Sequence, residues 1–146
     1  MSDIREILNK YKSIAMIGVS NDSTKASTIV MKYMQKYGFK VYPVNPSAKG
    51  QKILGEEVFA KITEIKQPVD IVDVFRPSRE ALDIAKDTVF IGAKVLWLQL
   101  GIKSEDAKKI VEKDNIEYVE DRCTKMEYQK HFLKIRQAFP VLQDQN

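Results

Sequence analysis

Ile14, Ala15, Met16 and Ile17 form a short apolar run that breaks at Gly18 and Ser20 into the hydroxyl-rich loop 21–25, and helical spacing starts directly after it. A parallel sheet uses such a loop to present backbone N–H groups and the positive end of a helix to a phosphate. The next apolar run, 40–44, ends in Asn45-Pro46. A nicotinamide-binding domain places an acidic residue there to hold a ribose hydroxyl. The pair of features predicts a phosphorylated nucleotide ligand other than NAD.

Strand and helix patterns then alternate along the chain. Asp3 and Glu6 stand at capping-box spacing before a short leading helix. Ala26, Ile29, Val30, Tyr33, Met34 and Tyr37 follow helical spacing up to Gly38. Residues 46–68 read as a linking region with a short helix near 60–65. A nearly continuous apolar run at 69–75 suits a strand covered on both faces, and a helix is expected from 78 to 91 with Ser78 as its cap. Residues 93–100 read as a fourth strand. Ser104 caps a helix carrying Ala107, Ile110 and Val111. A short strand at 117–120 leads to Asp121-Arg122-Cys123 and a last helix with Tyr128, Phe132, Ile135 and Phe139. Repeated βα units imply an α/β fold: a Rossmann-like, doubly wound parallel sheet of about five strands in three αβα layers, one domain over residues 1–146.

Composition narrows the partners. Hydrophobic residues make up 44% and charged residues 30%, the balance of a soluble globular chain. No apolar stretch approaches a bilayer span, and residues 1–6 lack the apolar core of a signal peptide. A cytoplasmic location without membrane contact is expected. A single cysteine, Cys123, excludes an internal disulfide and fits a reducing compartment. The net charge is +4, with 24 basic residues scattered rather than clustered. That distribution argues against a nucleic-acid partner and leaves a mild field favouring an anionic small ligand.

Ligands of open parallel sheets bind beyond the C-terminal strand ends. In this chain those ends read Gly18-Val19-Ser20, Val44-Asn45-Pro46, Phe75-Arg76-Pro77, Gln99-Leu100-Gly101 and Asp121-Arg122-Cys123. Gly18 lacks a Cβ, so a pyrophosphate can approach its backbone. Ser20 and Ser27 offer hydroxyls, and Lys25 a mobile cation. Val44, Asn45 and Pro46 form a flat lip suited to an adenine ring. Phe75, Arg76, Pro77, Gln99 and Gly101 continue the rim for an extended ligand.

These stretches, with Lys25-Ala26-Ser27 and the runs 69–76 and 92–101, strongly resemble the small single-domain CoA-binding proteins. Their domain is similar to the N-terminal CoA-binding domain of the succinyl-CoA synthetase α-subunit. The resemblance spans roughly residues 5–135 and implies binding of coenzyme A or an acyl-CoA. It implies a pyrophosphate over Gly18 and Ser20, a 3′-phosphate near Lys25 and Ser27, adenine against Val44, Asn45 and Pro46, and a pantetheine arm past Phe75, Arg76 and Gln99. The family's Arg-Pro-Ser is Lys25-Ala26-Ser27 here, which keeps the charge and loses the bidentate fork. Larger ligases of this kind take a phosphorylated histidine from a further domain that has no counterpart in this sequence. A binding module without catalysis of its own is therefore expected. The alternatives are an acyl-CoA-presenting subunit paired with a ligase-like chain, or an NAD(P)-binding oxidoreductase.

Few residues suggest chemistry of their own. His131 lies mid-helix with no acid or nucleophile spaced to pair with it, and one His with one Cys cannot close a zinc site. Asp70 and Asp73 fall on opposite faces of their strand. Trp97 reads as core. Cys123 is either a structural residue at a helix start or a thiol activated by that helix end and Arg122. In the second case a mixed disulfide with coenzyme A becomes available under oxidation. Tyr128, Phe132 and Phe139 leave packing against a second copy open.

Overall fold

The structure, a computed structural model, describes residues 2–134. Ile135 and Phe139 lie outside the described residues. In chain order the elements are α1 (Ile4–Lys10), β1 (Ser13–Ile17), α2 (Ala26–Lys36), β2 (Lys40–Val44), β3 (Lys52–Ile53), β4 (Glu56–Glu57) and β5 (Ile71–Val74). Then come α3 (Ala81–Ile91), β6 (Val95–Leu98), α4 (Glu105–Lys113), β7 (Glu117–Val119) and α5 (Thr124–Tyr128), which runs into a π-helical turn at Gln129–Leu133.

Successive side chains of a strand point to opposite faces, and the central strands are apolar on both. Ile14 and Met16, Ile71, and Val95 and Trp97 join Ile7, Leu8, Val30, Met31 and Met34 in one core beneath α1, α2 and α5. Ala15, Val72, Val74, Leu96 and Leu98 join Ala81, Ala85, Ala107 and Val111 in a second core beneath α3 and α4. Two faces that must both be covered give the three αβα layers expected of the sequence.

The five-stranded sheet has the order β2-β1-β5-β6-β7, and every pairing in it is parallel. The chain winds outward from β1 to β2, then crosses back to lay β5 on the other side of β1. The reversal puts the switch point between β1 and β5, beyond whose carboxyl ends open α/β sheets receive ligands.

Residues 46–59 cover the outer edge of β2. Phe59 N–H donates to Pro43 O at 3.0 Å and Asn45 N–H donates to Phe59 O at 2.8 Å. The Pro43 carbonyl faces outward, and so does its nitrogen, so the proline removes no bond to β1. Within this excursion β3 and β4 form a small antiparallel ladder. Its turn, Leu54 at φ +49° and Gly55 at φ +83°, has the two left-handed residues that tight hairpins require. The sequence reading left this segment as linker.

Element ends differ where a side chain has another partner. Asp3 caps α1 by accepting from Glu6 N–H, and Ser104 caps α4 by accepting from Ala107 N–H. Ser78 does not cap its helix: it begins a 3-10 turn, Ser78–Glu80, and its Oγ accepts from Lys103 N–H at 3.1 Å. The expected helix near 60–65 is a single 3-10 turn, Ile62–Glu64.

Leu98 is fully buried on β6 at the centre of the second core. Leu98→Ala is expected to cost about 2–5 kcal/mol, seen as a lower urea midpoint with an unchanged slope.

Candidate functional site at the switch-point cleft

Three strand ends are drawn together at Gly18. Its N–H donates to Val44 O at 2.8 Å, and Phe75 N–H donates to Ile17 O at 2.8 Å. Gly18 has φ +94°, and a Cβ there would sit 2.8 Å from the Phe75 carbonyl oxygen and 3.0 Å from Arg76 Cδ. The glycine is thus demanded by the close approach of the β1 and β5 ends as well as by its own backbone angle. Sequence reasoning kept that space for a ligand, whereas the Phe75 carbonyl fills it.

Asn45 pins the same corner. Its Nδ2 donates to Val19 O at 2.9 Å and its Oδ1 accepts from Ser47 N–H at 2.9 Å. The following loop folds on itself: Ser27 Oγ accepts from Ser20 N–H, Thr28 Oγ1 donates to Ser20 O, and Ser20 Oγ accepts from Asp22 N–H. Ser27 is therefore buried and already engaged. Lys25 is exposed at the start of α2 and makes no side-chain cap.

Between these ends and α3 lies a cleft of about 340 Å³. Gly18, Val44, Asn45, Pro46 and Arg76 line it, as the sequence predicted. Ser47 from the β2 excursion, Ala60, Lys61 and Ile62 just after it, and Glu80, Ile84 and Asp87, also line it and were missed. The last three recur at i, i+4 and i+7, a spacing that marks one helix face. Nothing local in the sequence announces the fold-back of residues 60–62. Arg76 grips Glu80 through two bonds, Nε to Oε1 at 3.0 Å and Nη2 to Oε2 at 2.7 Å. Those bonds hold the guanidinium charged and the Glu80 carboxyl below its usual range.

The other predicted rim residues do not line the cleft. Val19 is buried in the first core, against which Phe75 and Cys123 are packed half-buried. Pro77 is half-buried before the 3-10 turn. Gly101 is exposed, its N–H donating to Asp121 Oδ1 at 2.8 Å. Gln99 is turned inward: its Nε2 donates to Asp73 Oδ1 at 2.6 Å and Thr124 Oγ1 at 3.0 Å, while Thr124 Oγ1 donates to Asp73 Oδ2 at 3.1 Å. This closed network sits between the sheet and the start of α5, with Trp97 Nε1 donating to Arg122 O beside it at 2.8 Å. Burial pushes the Asp73 carboxyl up to about 7. Burial also pushes the Cys123 thiol up, over the opposing bonds from Met126 and Lys125 N–H. The activated thiolate that Arg122 and a helix end suggested is thus opposed by desolvation.

His131 has a partner after all, Glu127 one turn earlier, with Nε2 to Oε1 at 3.4 Å. Both lie in the α5 segment, on the opposite face of the sheet from α3. Among the described residues no group of three His, Cys, Asp or Glu side chains is placed to hold a metal. No helix among them is long and apolar enough to cross a membrane.

A parallel sheet with an apolar cleft at its switch point, rimmed by a glycine loop and a few convergent charges, defines a Rossmann-like α/β domain. The particular kind follows from comparison. The chain belongs to the CoA-binding domain family, whose model matches residues 12–129. It is 34% identical over 125 residues to the uncharacterized protein YneT of Bacillus subtilis, covering 86% of this chain and 91% of that one. It is 30% identical over 112 residues to the α-subunit of ADP-forming acetate–CoA ligase I of Pyrococcus furiosus, covering 72% of this chain but only 24% of the subunit. Among solved structures, cell-free ID.343 from Thermus thermophilus superposes with a TM-score of 0.86 at 34% identity, covering 90% of this chain and all of that one.

Asp73 makes stability depend on pH in a set direction. The unfolded chain ionises this carboxyl near pH 4, whereas the folded chain holds its proton to about pH 7. Between those values the unfolded state binds fewer protons, so this contribution to stability falls as pH rises and is intact only below the window. Asp73→Asn keeps an acceptor for Gln99 and is expected to flatten the decline between pH 4 and 7, read by denaturant titration at several pH values.

Proposed function

We propose that the chain binds coenzyme A, free or acylated, in the switch-point cleft, and that it does so as a carrier module without catalysis of its own. One observation carries the reading. The family match at residues 12–129 includes every residue lining the cleft, and the cleft itself is an apolar slot opening beside a glycine loop. The adenine packs on Val44, Asn45 and Pro46, the pyrophosphate crosses the mouth of the Gly18–Ser20 loop, and the pantetheine arm passes Arg76. Dinucleotide chemistry of the NAD type is disfavoured. The position that would need a ribose-binding acid is Asn45, whose amide is spent on Val19 and Ser47.

A second reading rests on the Pyrococcus furiosus ligase α-subunit, of which this chain spans about a quarter. In it the module, resident in the cytoplasm, presents an acyl-CoA to a ligase-like partner chain. Acyl-CoA turnover that appears only when the two chains are mixed separates it from the carrier reading.

Isothermal titration tests the first proposal. Coenzyme A is expected to bind with saturable heat at one site per chain, while NADH gives none. No coenzyme A binding in low salt, or NADH binding of equal strength, contradicts it.

A further inference from the structure

Two charged groups that line the cleft have no protein partner among the described residues. Arg76 is tied to Glu80, and Lys49 nearby is tied to Glu64 at 3.3 Å. Lys61 and Asp87 line the same cleft, yet among the described residues neither side chain has an ion-pair or hydrogen-bond partner. They come from different elements: Lys61 precedes the 3-10 turn Ile62–Glu64, and Asp87 lies on α3. The cleft they line is apolar at Val44, Pro46, Ile62 and Ile84.

An apolar cleft lined also by an unpaired cation and an unpaired carboxylate suits a ligand that brings an apolar body, an anion and a hydrogen-bond donor. An adenine carrying a phosphate on its ribose has this arrangement, with the exocyclic amine as donor and the phosphate monoester as anion. Resting on the coenzyme A reading of the cleft, we propose that Lys61 holds the 3′-phosphate and Asp87 accepts from the adenine amine. These two residues then set the preference for a 3′-phosphorylated adenine nucleotide. Lys25 and Ser27, to which the family resemblance assigns that phosphate, are poorly suited to it. Lys25 does not line the cleft, and the Ser27 hydroxyl already accepts from Ser20 N–H. Neither Lys61 nor Asp87 belongs to either buried core, so truncation leaves the fold intact.

The test compares three ligands by isothermal titration: coenzyme A, dephospho-coenzyme A, and 1,N6-etheno-coenzyme A, in which the amine is built into a ring. Wild type is expected to favour coenzyme A over each of the others by about tenfold or more, the scale of one charge-assisted hydrogen bond. Lys61→Ala should erase the preference over the dephospho form while leaving affinity for that form unchanged. Asp87→Ala should erase the preference over the etheno form. If wild type discriminates and both ratios survive these substitutions, or if Lys25→Ala erases the phosphate preference instead, the inference is overturned and the coenzyme A reading stands. If wild type binds none of the three, the coenzyme A reading itself falls.

Discussion

The contact of Gly18 with the Phe75 carbonyl is the constraint on which the site depends. Parallel strands normally splay at a switch point, because their following connections leave in opposite directions. Here the β1 and β5 ends close until no room remains for a Cβ at position 18. The bonds from Gly18 N–H to Val44 O and from Phe75 N–H to Ile17 O fix that closure from both sides. With the floor closed, the side walls follow: Asn45 and Pro46 on one side, Arg76 locked to Glu80 on the other. The cleft is a consequence of backbone approach first and of side-chain choice second.

The carboxyl rim divides into two unlike halves. Above β2, β1 and β5 it is open and apolar, with charged groups at its margin. Above β6 it is closed by Gln99, which with Thr124 engages Asp73, and by the Trp97 bond to Arg122, and beside β7 lies a second, more polar cavity of about 770 Å³ lined by Tyr118, Val119 and Arg122. A buried polar network with every member satisfied positions α5 on the sheet more specifically than apolar packing alone. It does so at the cost of a carboxyl held out of water. The network fixes the frame of the sheet beside the apolar cleft.

Much of this was legible in the chain. Apolar strands with helical spacing between them determined the αβα layers, because both faces of such strands need cover. Gly18, Val44, Asn45, Pro46 and Arg76 meet at the cleft because the parallel fold places strand ends on one rim. The expected rim residues that lie elsewhere do so for one reason. Gln99 and Cys123 were placed on the rim because they follow strands, but the direction of a side chain after the last ladder bond depends on long-range partners. Gln99 finds Asp73, which is 26 residues away. Lys61 and Ile62 were missed because their approach to the cleft depends on the pairing of Phe59 with β2, and no local pattern signals it. Ser78 failed as a cap for the same reason, drawn away by Lys103.

A nitrogen–proton correlation spectrum recorded during titration with coenzyme A locates the ligand residue by residue. The amides of Gly18, Asn45, Ser47, Lys61 and Ile62 are expected to shift together and saturate at one equivalent, while those of Tyr118 and Val119 on β7 stay in place. Shifts concentrated on β7 and Arg122, with the Gly18 amide unmoved, would contradict binding in the cleft.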